Sequence, residues 1–261
     1  MIRFRCDRCS YDMTPVISDK GIEEYARQLL SDYRPEMLYG IPQALNAFHF
    51  VESYLGARIE FQDIYYEEGF KPILGMTCFA ETRVKVFDRE NMCTKYITVP
   101  PDTIIIDNSL MEPGKEALAN FTVLHEGGHF CMHREVFEDG MRRNCPPEFC
   151  NRKKSGNSKR KLESQEDFRE HQADVFAAAV ALPADTLVPC ATHMIRCMGF
   201  PDGVFVTGHK YDDMKKPGLD RMIANIAESC GVSRSAVKIR LQRLGLLQHR
   251  LEYGKNFMII I

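Results

Sequence analysis

Apolar residues recur at helical spacing through GIEEYARQLLSDY (21–33) and IPQALNAFHFVESYLG (41–56), which predicts two amphipathic helices early in the chain. From 57 to 107 the period changes. RIEFQDI, ILGMTCF, TRVKVFD, KYITV and TIIID are short runs rich in β-branched and aromatic residues, separated by Gly, Pro, Asp or Asn. They predict a small sheet of about five strands. GKEALANFTVLHEGGHFCMH (114–133) returns to helical spacing, with Leu118, Phe121, Val123 and Leu124 supplying its apolar faces. ESQEDFREHQADVFAAAVAL (163–182) does the same and stops at Pro183, which lacks the amide hydrogen a further turn needs.

Between these helices, DGMRRNCPPEFCNRKKSGNSKRK (139–161) is polar, basic and interrupted by prolines, and reads as an exposed excursion. Residues 199–217, punctuated by Pro201, Gly203, Gly208 and Pro217, read as a linker to a last helical pair, LDRMIANIAESC and SRSAVKIRLQRLG. The pattern therefore divides the chain into an irregular tail (1–17), an α+β domain (18–198), the linker (199–217) and a small helical module (218–261). In that module Ala227, Gly231 and Val237 supply the small residue, turn glycine and buried aliphatic of a helix-turn-helix, with Ser233 as N-cap. Arg234, Lys238, Arg240 and Arg243 are placed to meet phosphates, but so few cations do not favour DNA contact over a packing role.

Composition narrows the classes. Hydrophobic residues at 44% and charged residues at 27% are ordinary for a globular domain, and a net charge of −2 creates no field that selects nucleic acid. No apolar run reaches membrane-spanning length and MIRFRCDRCS lacks an apolar signal core, so a cytoplasmic protein is expected. The 10 cysteines then predict reduced thiols. Cys6-x-x-Cys9 is half of a zinc ribbon, for which Cys145 and Cys150 are only a distant and widely spaced other half.

The chemistry is concentrated in the two long helices. Residues four apart on an α-helix differ by about 40° in azimuth, so His125 and His129 project from one face and can bind one Zn²⁺. Glu126, directly after the first histidine, can reach a water and not the metal, the logic of H-E-x-x-H. Within EHQAD, Glu170 offers a hard third ligand, and Asp174 could accept the N–H of a ligand imidazole and fix its tautomer. A coincidence of spacing and a solvated helix face are the bland alternatives. His133, four after His129, lies further round the helix and suits packing or a bond to a ligand better than ligation, and His171 points elsewhere.

FTVLHEGGHF followed by EHQADVFAAAVALP resembles the ImmA/IrrE family of zinc metallopeptidases. ARIEFQDI, ILGMTCF, VKVFD, TIIIDNSL and VSRSAVKIRLQRLGLL are similar to the same family, so the resemblance covers about residues 20 to 247. It implies a zincin-like α+β fold with a C-terminal helix-turn-helix, His125, His129 and Glu170 as zinc ligands, and Glu126 as catalytic base. It also implies a narrow substrate, a partner helix-turn-helix repressor cut at one site. Two positions depart from the family: Gly127 stands where a bulky apolar residue is commoner, which would loosen the helix locally, and Leu182 replaces a methionine. The rival class is a DNA-binding regulator whose zinc senses metal or holds structure.

Overall fold

A computed structural model describes residues 2–67, 70, 72–137, 150–153 (backbone), 162–208 and 214–250. The fold is mixed α+β. The chain forms two compact units, one of Met1–Tyr33 with Asn46–Ala181 and one of Arg34–Leu45 with Leu182–Ile261. The division after Ala181 lies upstream of the 199–217 stretch read as a linker, and residues 34–45 go with the C-terminal part.

The first unit holds α1 (Asp19–Tyr33), α2 (Ala47–His49) running into a π turn (Phe50–Leu55), and five strands. These are β1 (Arg58–Gln62), β2 (Ile73–Cys78), β3 (Thr82–Asp88), β4 (Cys93–Val99) and β5 (Thr103–Asp107). Then come α3 (Glu116–Met132), β6 (Cys150–Lys153) and α4 (Gln165–Ala181). Each predicted strand run is a strand, but they do not share one sheet. Four strands run in the order β1-β5-β2-β6, while β3 and β4 pair separately as a hairpin. The reason lies in β5, whose Ile104, Ile105 and Ile106 are all buried, so both faces of this strand need cover. Ile105 joins Met76, Cys78, Val84, Val86 and Val99 in a core between sheet and hairpin. Burying each such aliphatic side chain stabilises by about 1.5–3 kcal/mol.

By strand alternation, Ile104 and Ile106 face the other way, and the register places Thr77 opposite Ile104 and Gly75 opposite Ile106. This face meets α3. β6 corrects the reading of 139–161 as wholly excursion, because Cys150–Lys153 pairs antiparallel with β2. The remainder of that stretch, Cys145 included, lies outside the described residues. The helix expected over 41–56 begins at Ala47, where Asn46 accepts the His49 amide at 3.0 Å as N-cap.

Two glycines let helices approach α3. A Cβ on Gly128 would stand 3.2 Å from the Ala173 Cα of α4, and one on Gly127 would stand 3.0 Å from Val51 Cγ2 in the π turn. The space a bulky residue would need at 127 is filled by Val51 and Leu55. The helix runs unbroken through both glycines. The N-terminal tail is irregular but anchored: Arg169 Nη1 donates to Asp12 Oδ2 at 2.7 Å and to Thr14 Oγ1 at 2.9 Å.

The second unit contains α5 (Ala184–Cys197), β7 (Phe205–Thr207), α6 (Lys216–Cys230), α7 (Arg234–Arg243) and β8 (Leu247–His249), with β7 and β8 parallel. α5 starts directly after Pro183, so the proline that ends one helix introduces the next. The α6–α7 turn follows the sequence expectation. Gly231 adopts φ 63°, and the Ser233 hydroxyl accepts the Ala236 amide at 3.1 Å. Arg240 departs from it. Its side chain is buried and its Nε donates to the Leu182 carbonyl at 3.0 Å, so it cannot meet a phosphate; Arg234, Lys238 and Arg243 are exposed. Among the described residues no single helix is long and apolar enough to cross a membrane.

Candidate metal centre

His125 and His129 lie on consecutive turns of α3, and Glu170 faces them from α4. All three are buried. The two Nε2 atoms are 3.1 Å apart, His129 Nε2 is 3.3 Å from Glu170 Oε1, and His125 Nε2 is 3.7 Å from Oε2. Ligand atoms held about 2.0–2.1 Å from a tetrahedral Zn²⁺ stand roughly 3.3–3.4 Å from one another. The spacing fits a metal ion.

The hydrogen bonds around the rings decide what the close nitrogens are. Gln172 Nε2 donates to the Pro15 carbonyl at 2.7 Å, so its Oε1 is the atom presented to His133 Nε2 at 2.8 Å. That carbonyl oxygen accepts, which puts the His133 proton on Nε2. Burial, then the neighbouring His129, holds the His133 pKa well below its ordinary value and keeps the ring neutral. Its Nδ1 is therefore bare and accepts from His129 Nδ1 at 2.9 Å. On the other side, His125 Nδ1 donates to Asp174 Oδ1 at 2.9 Å. Both rings thus use Nδ1 as a donor and turn Nε2 towards each other and Glu170. Two ring nitrogens 3.1 Å apart beside a carboxylate favour a cation between them, a proton or a metal ion. The donor set could hold a metal ion.

Glu126 is fully buried beside this set but is not part of it. β2 determines where its carboxylate goes. Thr77 donates its hydroxyl to Glu126 Oε2 at 2.8 Å, and a Cβ on Gly75 would fall 2.9 Å from Glu126 Cγ and Oε1. Gly75 is thus the gap in the sheet that admits the glutamate. Below it, Cys78 has its thiol pushed up to about 12 by burial and then by Glu126, so it stays protonated.

The structure places all five sequence-predicted residues together: the three candidate ligands, Glu126, and Asp174 on a ligand ring. His133 bonds a ligand ring, as its position round the helix suggested, and His171 points away to Asp19. Thr77, Gly75, Gln172 and Pro15 were missed. Gln172 stands inside the EHQAD motif and was open to notice. Period-2 alternation put Gly75 and Thr77 on one face, but nothing local says which face meets α3. Cys6 and Cys9, in the tail, are both unoxidised thiols. Comparison with protein-family models and with curated proteins finds no match.

Proposed function

We propose that this chain is a cytoplasmic zinc-dependent endopeptidase of zincin-like fold with a C-terminal helix-turn-helix, cutting a partner helix-turn-helix repressor at one site. The observation that carries the proposal is the division of labour within the buried cluster. Three donors converge on one point, and a fourth buried group, Glu126, stands beside them without joining. Burying a carboxylate costs several kcal/mol, roughly, unless it is compensated. A metal site that served only structure or sensing has no use for one. That argument favours a peptidase over a DNA-binding regulator with a structural zinc.

His125, His129 and Glu170 would hold the ion, which when bound supplies a Lewis acid for the scissile carbonyl and makes water more acidic. Glu126 takes a proton from the attacking water and passes it to the departing amine. Thr77 aims the carboxylate by donating to one of its oxygens. Asp174 and the His133–Gln172–Pro15 chain keep the imidazole protons on Nδ1, so that both Nε2 lone pairs stay turned to the ion. The test is cleavage of a candidate repressor in vitro, with a single cut that disappears on chelation and returns with zinc. Uncut repressor with the zinc-loaded chain would sink the reading.

Gly75→Ala tests the role given to β2. The added methyl pushes the Glu126 side chain from its place, so cleavage should fall about 10- to 100-fold with zinc content unchanged. Unchanged cleavage by a folded Gly75→Ala chain would remove Gly75 from the argument.

The exposed cations of α7 test how a single substrate is chosen. A site reading a few residues gains limited selectivity, so a repressor needs further contact area. Removing 216–261 would separate β8 from β7 and Arg240 from Leu182, and so would test folding and not docking. Replacing Arg234, Lys238 and Arg243 by alanine leaves that packing intact. Cleavage of the folded repressor should fall about ten-fold, roughly the loss of 1.4 kcal/mol of contact energy, while a short peptide spanning the same bond is cut as before. Equal loss on both substrates would refute docking.

A further inference from the structure

Cys6 and Cys9 lie in one turn of the tail, where Cys6 Sγ donates to the Arg8 carbonyl at 3.0 Å. Burial, then Cys6 and Glu135, push the Cys9 thiol up. This turn is not a loose end. Cys9 pairs as a β-bridge with Pro15, flanked by Val16 N donating to Arg8 O at 2.8 Å and Ser10 N donating to Thr14 O at 2.8 Å. Pro15 is the residue whose carbonyl anchors Gln172, and through Gln172 and His133 it orients His129. Residues between the bridge partners are fixed to α4 by Arg169 through Asp12 and Thr14. A thiol pair is therefore joined by backbone pairing and three side-chain hydrogen bonds to a candidate metal ligand.

We propose that Cys6 and Cys9 are a redox-active dithiol that closes to an intrachain disulfide by exchange with a small-molecule disulfide, and that its state is transmitted through Pro15 to His129. The chemistry closes on itself. One cysteine thiolate attacks a sulfur of R–S–S–R, forming a protein–S–S–R bond and releasing one R–S⁻. The second cysteine attacks the protein sulfur of that bond and releases the other R–S⁻. Two R–SH form as the released thiolates take up the two protons the cysteines give up. The cysteine sulfurs are oxidised and the small disulfide is reduced. A disulfide removes the S–H that now donates to Arg8 O, next to the Val16 amide on the same carbonyl. The Arg8–Val16 and Cys9–Pro15 pairing must readjust, and Pro15 moves with it.

Transmission to His129 rests on the zinc reading, whereas disulfide formation does not, and the experiment separates them. The intact chain is equilibrated with oxidised glutathione, alkylated and digested with trypsin, which cuts after Arg8. Closure leaves Cys6-Asp7-Arg8 joined to the peptide beginning at Cys9 until a reductant is added. Failure to find that pair overturns the dithiol, and so does a thiolate-bound metal ion on Cys6 and Cys9 in the reduced chain. The zinc-loaded chain is then mixed with a chromogenic chelator in both redox states. Loss of an outer hydrogen-bond partner costs a metal site about 10- to 100-fold in affinity, so a displaced one should change zinc release by about two- to ten-fold. Cys6→Ser should abolish the difference. Equal release from oxidised and reduced wild-type chain overturns transmission. If the chain holds no zinc at all, the peptidase reading fails while the disulfide result stands.

Discussion

Glu126→Gln is expected to keep its bound zinc and to lose peptide cleavage by about 10²- to 10⁴-fold, the range in which a positioned general base contributes. The substitution is close to isosteric. Its carbonyl oxygen can still accept from Thr77, so the side chain stays in the gap opposite Gly75. What is lost is the capacity to take up a proton, and a neutral amide is no harder to bury than a carboxylate. The candidate metal donors, on His125, His129 and Glu170, are not altered. Metal analysis of the purified variant beside a cleavage assay on the repressor gives both readouts. Cleavage at the wild-type rate would remove Glu126 from the chemistry and with it the reason for reading this chain as an enzyme.

How much of this could be read from the residues depends on how far apart the interacting groups lie. His125, Glu126 and His129 share one helix, where spacing dictates direction, and Glu170 with Asp174 are one turn apart on another. All five could be assigned from periodicity and donor chemistry. The strands were legible too, since β-branched runs announce themselves. Their partition was not: that β3 and β4 leave the main sheet while β6 joins it depends on pairings between distant segments. Thr77, 49 residues from Glu126, and Pro15, 157 from Gln172, are connected to the centre only by the fold. Arg240 shows the opposite failure. Local pattern gave it to an exposed basic face, but the Leu182 carbonyl supplied a partner that made its burial tolerable.

Glu170→Ala and His133→Ala should separate ligation from orientation. Glu170 contributes the only carboxylate oxygens in the donor set found among the described residues, 3.3 and 3.7 Å from the two Nε2 atoms. Without it two imidazoles remain, too few to hold Zn²⁺ against a competing chelator, and the purified variant should be nearly free of zinc. His133 offers nothing to the ion. Its Nδ1 faces His129 Nδ1 at 2.9 Å, and its Nε2 is taken by Gln172. Replacing it by alanine strands the buried His129 N–H, at a cost of about 1–3 kcal/mol, and frees the ring to turn. Zinc should therefore remain bound in His133→Ala at saturating metal, with affinity lower by about 10- to 100-fold in competition with a chelator. Two curves, zinc content after dialysis and affinity by competition, carry the distinction. A zinc-free His133→Ala alongside a zinc-replete Glu170→Ala would exchange their roles, and would mean that the ion sits between His129 and His133 and not between His125, His129 and Glu170.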